Sequence, residues 1–245
     1  MNAEFNLTRL GYFIRRQLFL NINAMWIAIA AVVGVLLVIS GFTAYFNPTK
    51  IYNLVPLYLV VLFVGGYVFT SKIFSELHSP QKSYAFLTLP VSTSEKLLGA
   101  WIIAAPLYLL TALLGATILM LVSALVAGQS ADLPNAFSSM QFLRMIGSFL
   151  VTQTFFFLGA VAFRGNNFMK TLLAMFIIAV VLVSYTGSLG YMLFGGRTAF
   201  QEGDAVALKN NMEFITERLV PFLYWYVLGP FLLVVSFFKL KERQV

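Results

Sequence analysis

The placement of charge constrains this chain more than any other feature. Six long runs carry no Asp, Glu, Lys or Arg: Gln17 to Thr49, Ile51 to Ser71, Leu97 to Ala131, Met145 to Phe163, Thr171 to Gly196 and Leu219 to Phe238. The shortest holds 19 residues and the longest 35. A bilayer core of roughly 30 Å asks for about 20 helical residues at about 1.5 Å each. Each run therefore supplies one spanning helix, and none is long enough for two helices with a turn between them. The expected spans are 24–46, 53–71, 97–126, 143–163, 171–195 and 219–238, in a single transmembrane domain over 1–245.

Composition excludes the alternatives. Of the 245 residues 60% are hydrophobic and only 10% charged, and mean hydropathy is +0.87. A water-facing fold of this size cannot hide that excess, and neither disorder nor a disulfide scaffold has this composition. A β-barrel would alternate apolar and polar residues along each strand, whereas Ala28–Ile39 is apolar on every face. The fold class is all-α and integral to a membrane, with six transmembrane helices.

Basic residues set the orientation. With both termini on the cytoplasmic side, that side holds Arg9, Arg15, Arg16, Lys72, Lys82, Lys96, Arg164, Lys170, Lys239, Lys241 and Arg243. The other side keeps Lys50, Arg144, Arg197, Lys209 and Arg218. The positive-inside rule then places both termini in the cytoplasm. The net charge of +7 is used up in this way and does not call for nucleic acid.

The N-terminal stretch is too long and too continuous for a cleaved signal. Residues 1–23 read as an interfacial segment, with an amphipathic helix over Phe5–Leu20. Phe5, Leu10, Phe13 and Leu20 would meet lipid or the bundle, while Arg9, Arg15 and Arg16 would meet headgroups or a partner. Arg197–Arg218 reads as an extracytoplasmic segment, with a helix capped by Asp204 leading into the last span.

The inner connection 72–96 is the most informative stretch. Ser79-Pro80 reads as an N-cap followed by proline in the first helical turn. A short helix would end near Leu89, since Pro90 disfavours helical geometry before it, and would carry Tyr84, Phe86 and Leu87. Ser92 and Glu95 have the spacing of a capping box at the entrance to the third span. Two readings stay open for this element: an interfacial helix resting among headgroups, or a stiff knob seated in a groove of a cytosolic protein.

Within the spans no ionisable group sits at mid-membrane, so proton or sodium coupling lacks its usual carriers. Uncharged polar residues remain in the spans: Thr111 and Thr117 in the third, Thr152, Gln153 and Thr154 in the fourth, Ser184, Thr186 and Ser188 in the fifth. Gln153 would point into the bundle or across a subunit contact, while Ser and Thr in membrane helices ordinarily bond to helix carbonyls. Pro106 and Gly229-Pro230 are candidate kinks in spans three and six. Catalytic motifs are missing from the sequence: there is no HExxH, no G-x-S-x-G and no Walker A loop. With no cysteine and one histidine, His78, the sequence offers neither a thiolate nucleophile nor a His-rich metal site. His78 reads as a surface residue, and no catalytic residue, metal ligand or cofactor is expected on this chain.

This layout resembles the permease subunits of ABC-2 type ATP-binding cassette exporters. Locally, Phe86-Leu87-Thr88-Leu89-Pro90-Val91-Ser92, followed by Glu95-Lys96-Leu97-Leu98-Gly99, is similar to the loop that small permeases of that family carry between spans two and three. The basic close Lys239-Leu240-Lys241-Glu242-Arg243 is similar to their tails. The resemblance implies a pair of permeases, two copies or a copy and a paralogue, in a bacterial plasma (inner) membrane. It implies two cytosolic ATPase subunits that bind ATP and Mg²⁺. It makes 72–96 a cytoplasmic coupling loop in which Ser79, Pro80, Lys82, Tyr84, Phe86 and Leu87 meet the ATPase, with Arg15 and Arg16 of the N-terminal helix beside them. The substrate path would run near Thr152, Gln153, Thr154 and Thr111, carrying an amphiphile, peptide, drug or lipid-like solute. A non-transporting scaffold or accessory subunit is the alternative.

Overall fold

The computed structural model describes residues 5–20, 22–47, 54–128, 140–194 and 215–243. Among them there is no strand. Helix α1 is Leu7–Leu20, α2 Ile22–Phe46, α3 Val55–Lys72, α4 Ser75–His78 and α5 Ser83–Leu87. A continuous α6 runs Thr93–Ala127, α7 is Met140–Ala162, α8 Asn167–Phe194 and α9 Glu217–Glu242. Six of these are long and apolar enough to cross a membrane: α2 from Met25, α3, α6, α7, α8 to Leu189, and α9. Six is the number of spans expected from charge placement. Of the helix expected from Asp204 through Glu217, 204–214 lie outside the described residues, and 215–217 belong to a π-type turn, Ile215–Leu219, at the start of α9.

Proline explains the irregular turns. Ile103–Leu107 in α6 is a wide π-type turn that contains Pro106, and Leu223–Leu228 in α9 is another that ends just before Gly229-Pro230. Proline lacks the N–H that would close an ordinary turn and its ring crowds the carbonyl one turn back, so the helix widens there.

Helix α7 is the hub. Half of its most apolar stretch is buried, against none of that of α8. It packs on α3, α8 and the second half of α9, while α2 lies along the later part of α6, Tyr108–Ala127, and α1 along its first turns. Small residues allow these approaches. Gly66 admits the rings of Phe149 and Tyr108, Gly147 admits Trp225, and Gly99 admits Phe13. Tyr67 stacks on Phe149 and Phe156 at 5.4 and 4.6 Å between centroids, so aromatic faces fill the seam between α3 and α7. Further along, the Tyr58 hydroxyl of α3 meets Ser40 of α2 at 2.5 Å and Ser123 of α6 at 3.5 Å.

One end of the bundle collects α1, α4, α5, the turn 163–166 and the last turn of α9. That turn uses two left-handed residues in succession, Gly165 (φ 68) and Asn166 (φ 49), the residue types that tolerate it. The same end receives Asn6, whose N–H bonds Glu95, and Arg243, whose guanidinium reaches His78. Both described chain ends therefore lie with the 72–96 loop, as an even number of crossings requires.

Candidate functional site

The 72–96 loop is folded, and apolar burial folds it. Directly after α3, Phe74 turns into the core and is 1% exposed. Phe86 of α5 is equally buried, and its ring meets Phe74 edge-on at 6.3 Å and Phe13 of α1 at 6.2 Å. Phe74 in turn meets Phe157 of α7 at 5.3 Å. Leu77, Leu97, Ala100, Val161 and Leu240 complete this cluster, with Leu87 partly buried at its edge. Five helices thus meet around Phe86, and the loop is anchored to the spans.

Polar contacts fix its two exits. At the first, Arg16 of α1 pairs with buried Glu76 of α4 at 3.0 Å. At the second, the expected capping box is present: the Ser92 hydroxyl accepts from the Glu95 N–H at 3.3 Å, and Glu95 accepts from the Ser92 N–H at 2.8 Å. Glu95 also accepts from the Asn6 N–H at 2.6 Å and from Arg9 at 3.0 Å. Buried Lys96 donates to the Leu87 carbonyl at 3.2 Å and lies 5.4 Å from the centre of the Phe86 ring. A buried ammonium is costly unless paired; here it ties the end of α5 to the start of α6.

Several expectations need correction. The short helix starts at Ser83, not at Ser79, and Lys82 stands at its cap without a side-chain bond. Ser79 is extended and ends α4; its carbonyl accepts from the N–H groups of Lys82 and Ser83, making a turn over Pro80. Phe86 and Leu87 face inward, because the cluster around Phe74 removes more apolar surface from water than exposure could. Arg16 is engaged by Glu76, whereas Arg15 is exposed and lies over the Phe19 ring at 5.7 Å. Between α4 and the capping box the loop presents Pro80, Gln81, Lys82, Tyr84, Ala85, Thr88 and Pro90 outward, with Tyr84 77% exposed.

The residues expected near a path separate into two groups. Thr152 bonds the Tyr67 hydroxyl at 2.6 Å and the Ser148 carbonyl at 2.6 Å. Gln153 is buried between three helices, its amide donating to Thr70 of α3 at 2.8 Å and to the Ala104 carbonyl in the π turn of α6. Thr154 is buried and bonds Val151 of its own helix at 2.7 Å. These three sit in the α7 seam. Thr111 is exposed on α6, bonded to Leu107 and Tyr108, and is not brought to them.

His78, expected at the surface, is half-buried and bonded at both ring nitrogens, to the Ala160 carbonyl at 2.7 Å and to Arg243 at 2.9 Å. Sequence reasoning missed this contact, as it missed Arg9 with Glu95 and Arg16 with Glu76. A buried acid needs a cation or donors to approach it, but nothing local in the sequence says which cation. Among the described residues no three His, Asp or Glu side chains gather as a metal site would require. No protein-family model, no curated protein and no solved structure matches this chain.

Proposed function

We propose that this chain is the membrane permease of an ABC-2 type exporter, passing the force of ATP hydrolysis on a separate cytosolic ATPase to its helices. The observation that carries the reading is the anchored 72–96 loop. An element that receives force must be short, stiff and joined to the parts that move. This one is held by Phe86 directly to α1 and α6, through the cluster that Phe86 shares with Phe157 and Leu240 to α7 and α9, by Arg16 through Glu76, and by the Ser92–Glu95 box to the start of α6. Its outward residues Pro80, Gln81, Lys82 and Tyr84 then form the surface offered to the ATPase, with exposed Arg15 of α1 next to the Arg16 that pairs with α4. Phe86 and Leu87 brace that surface from behind.

On the same reading the eleven basic residues expected on the cytoplasmic side lie at that side of the membrane, with Lys96 buried among them. Helix α1, with Phe19 and Leu20 exposed beside Arg15, lies at the membrane surface. The exported solute is amphiphilic, peptide, drug or lipid-like, and it passes between two permeases. Gln153, enclosed within one chain, tunes the packing of α3, α6 and α7 and does not line the passage.

Purification of the tagged chain in mild detergent, with mass spectrometry of what accompanies it, tests this directly. A stoichiometric Walker A ATPase supports the exporter reading, and its loss with Tyr84→Asp places the contact on the loop. A chain that arrives alone, or with a partner that is no ATPase, rejects the reading in favour of an accessory membrane subunit.

A further inference from the structure

The last turn of α9 is fastened to α4 by one side-chain pair. The Ala160 carbonyl, 2.7 Å from His78 Nε2, can only accept, so Nε2 carries the proton and donates. The Arg243 guanidinium, 2.9 Å from Nδ1, can only donate, so Nδ1 presents its lone pair. Both bonds exist only for the neutral ring in one tautomer. A second nitrogen of Arg243 donates to the Ala162 carbonyl at 3.0 Å. Two of the carbonyls that the end of α7 leaves without helical partners are thereby satisfied from α4 and α9.

We propose that His78 and Arg243 form a proton-released latch that fastens the end of α9 to the 72–96 loop and opens when the imidazole takes up a second proton. Protonation puts N–H against N–H at Nδ1, so the bond to Arg243 turns into repulsion between two cations. Among the described residues the surroundings offer no relief. Besides Arg243, Arg164 of the turn after α7 and Lys170 of α8 act on the ring, and both are cations. On the neighbouring elements Lys72 and Lys82 are exposed cations. Nearby carboxylates are engaged elsewhere, Glu76 with Arg16 and Glu242 with Lys239.

Burial, with Arg243, Arg164 and Lys170, holds the His78 pKa below its ordinary 6.5, although the bond to Ala160 pulls the other way. The sign follows from linkage. With the folded pKa depressed, the latch is intact above about 6.5 and is lost as pH falls through the lower folded value. The latch stands apart from the transport reading, because it needs neither ATPase nor substrate.

His78 is the only histidine and the chain has no cysteine, which makes the test clean. The full chain, with a tag free of histidine and with Lys241→Cys carrying a spin label, is placed in lipid nanodiscs. The ring is titrated by NMR while label mobility is read across the same pH range. We expect one histidine midpoint below 6.5 and a rise in mobility that tracks it. In His78→Gln, whose amide can both donate to Ala160 and accept from Arg243, mobility should stay low and independent of pH. In Arg243→Gln the histidine midpoint should rise and the label should be mobile throughout. A midpoint at or above 6.5, mobility that ignores the titration, or a midpoint unmoved by Arg243→Gln would each overturn the latch.

Discussion

The guanidinium of Arg9 lies 3.0 Å from the carboxylate of Glu95, whose side chain has no exposed surface. Residues 86 positions apart thus close on one carboxylate that also caps α6 and holds the Asn6 N–H. Glu95→Gln keeps the shape but turns one acceptor into a donor and removes the charge. Because Arg9 is about one third exposed, the pair contributes less than a fully buried one. We expect a loss of about 2 kcal/mol, with α1 becoming sensitive to trypsin at Arg15 before the bundle melts. Ser92→Ala, which removes only the cap oxygen, should cost about 1 kcal/mol. Thermal melts in one detergent, with limited proteolysis alongside, measure both.

Phe86 and Tyr84 are two residues apart and should behave oppositely. Phe86→Ala opens a cavity where five helices meet and should cost about 3–5 kcal/mol. Tyr84, 77% exposed, should tolerate Ala within about 0.5 kcal/mol. If the loop docks an ATPase, Tyr84→Asp and Lys82→Glu lower ATPase retention on the purified chain while the melting temperature stays fixed. A drop in melting temperature equal to that of Phe86→Ala would show that the surface residues brace the fold instead.

How much of this could be read from residues alone depends on the range of the cause. Span number follows from charge-free runs, since lipid imposes a local rule on each segment. The Ser92–Glu95 box is equally local, three residues apart, and the structure has it. The inward turn of Phe86 was not legible: an aromatic in a short helix looks the same whether lipid, a partner or Phe74 covers it. Its burial depends on Phe13, Phe157 and Leu240, which are far apart in sequence. For the same reason His78 read as a surface residue, its partner being 165 positions away. Proline was informative in a middle way, marking where α6 and α9 widen without saying that the Ala104 carbonyl in the widened turn would meet Gln153.

Gly159 sets the approach of α8 to α7. A methyl group built there overlaps the Thr171 hydroxyl and lies 2.9 Å from Thr171 Cβ. The Thr171 hydroxyl is already bonded to the Asn167 carbonyl at 2.8 Å, so it cannot simply rotate away. Gly159→Ala should destabilise by about 1–3 kcal/mol through overpacking. Thr171→Ala in the same chain should recover part of that loss, because the Cβ contact stays while the oxygen and Cγ2 contacts go. A double-mutant cycle on thermal melts gives the coupling; two costs that simply add would mean the helices separate freely.

Gln153 is where stability and passage make different demands. Its amide nitrogen serves Thr70 and Ala104, yet its Oε1 is buried with no donor among the described residues. Gln153→Leu, similar in volume, removes two bonds, each worth about 0.6 kcal/mol between membrane helices. It also removes an orphan acceptor whose burial costs about 1–3 kcal/mol. The terms nearly offset, so the substitution should change stability by less than about 1 kcal/mol. Thr70→Val takes away only one acceptor, leaves the amide partly unpaired, and should be the more harmful of the two. Melts of both variants decide the order. If Gln153→Leu instead costs several kcal/mol, Oε1 has a partner of its own; if it leaves the melt intact but abolishes export, Gln153 belongs to the path after all.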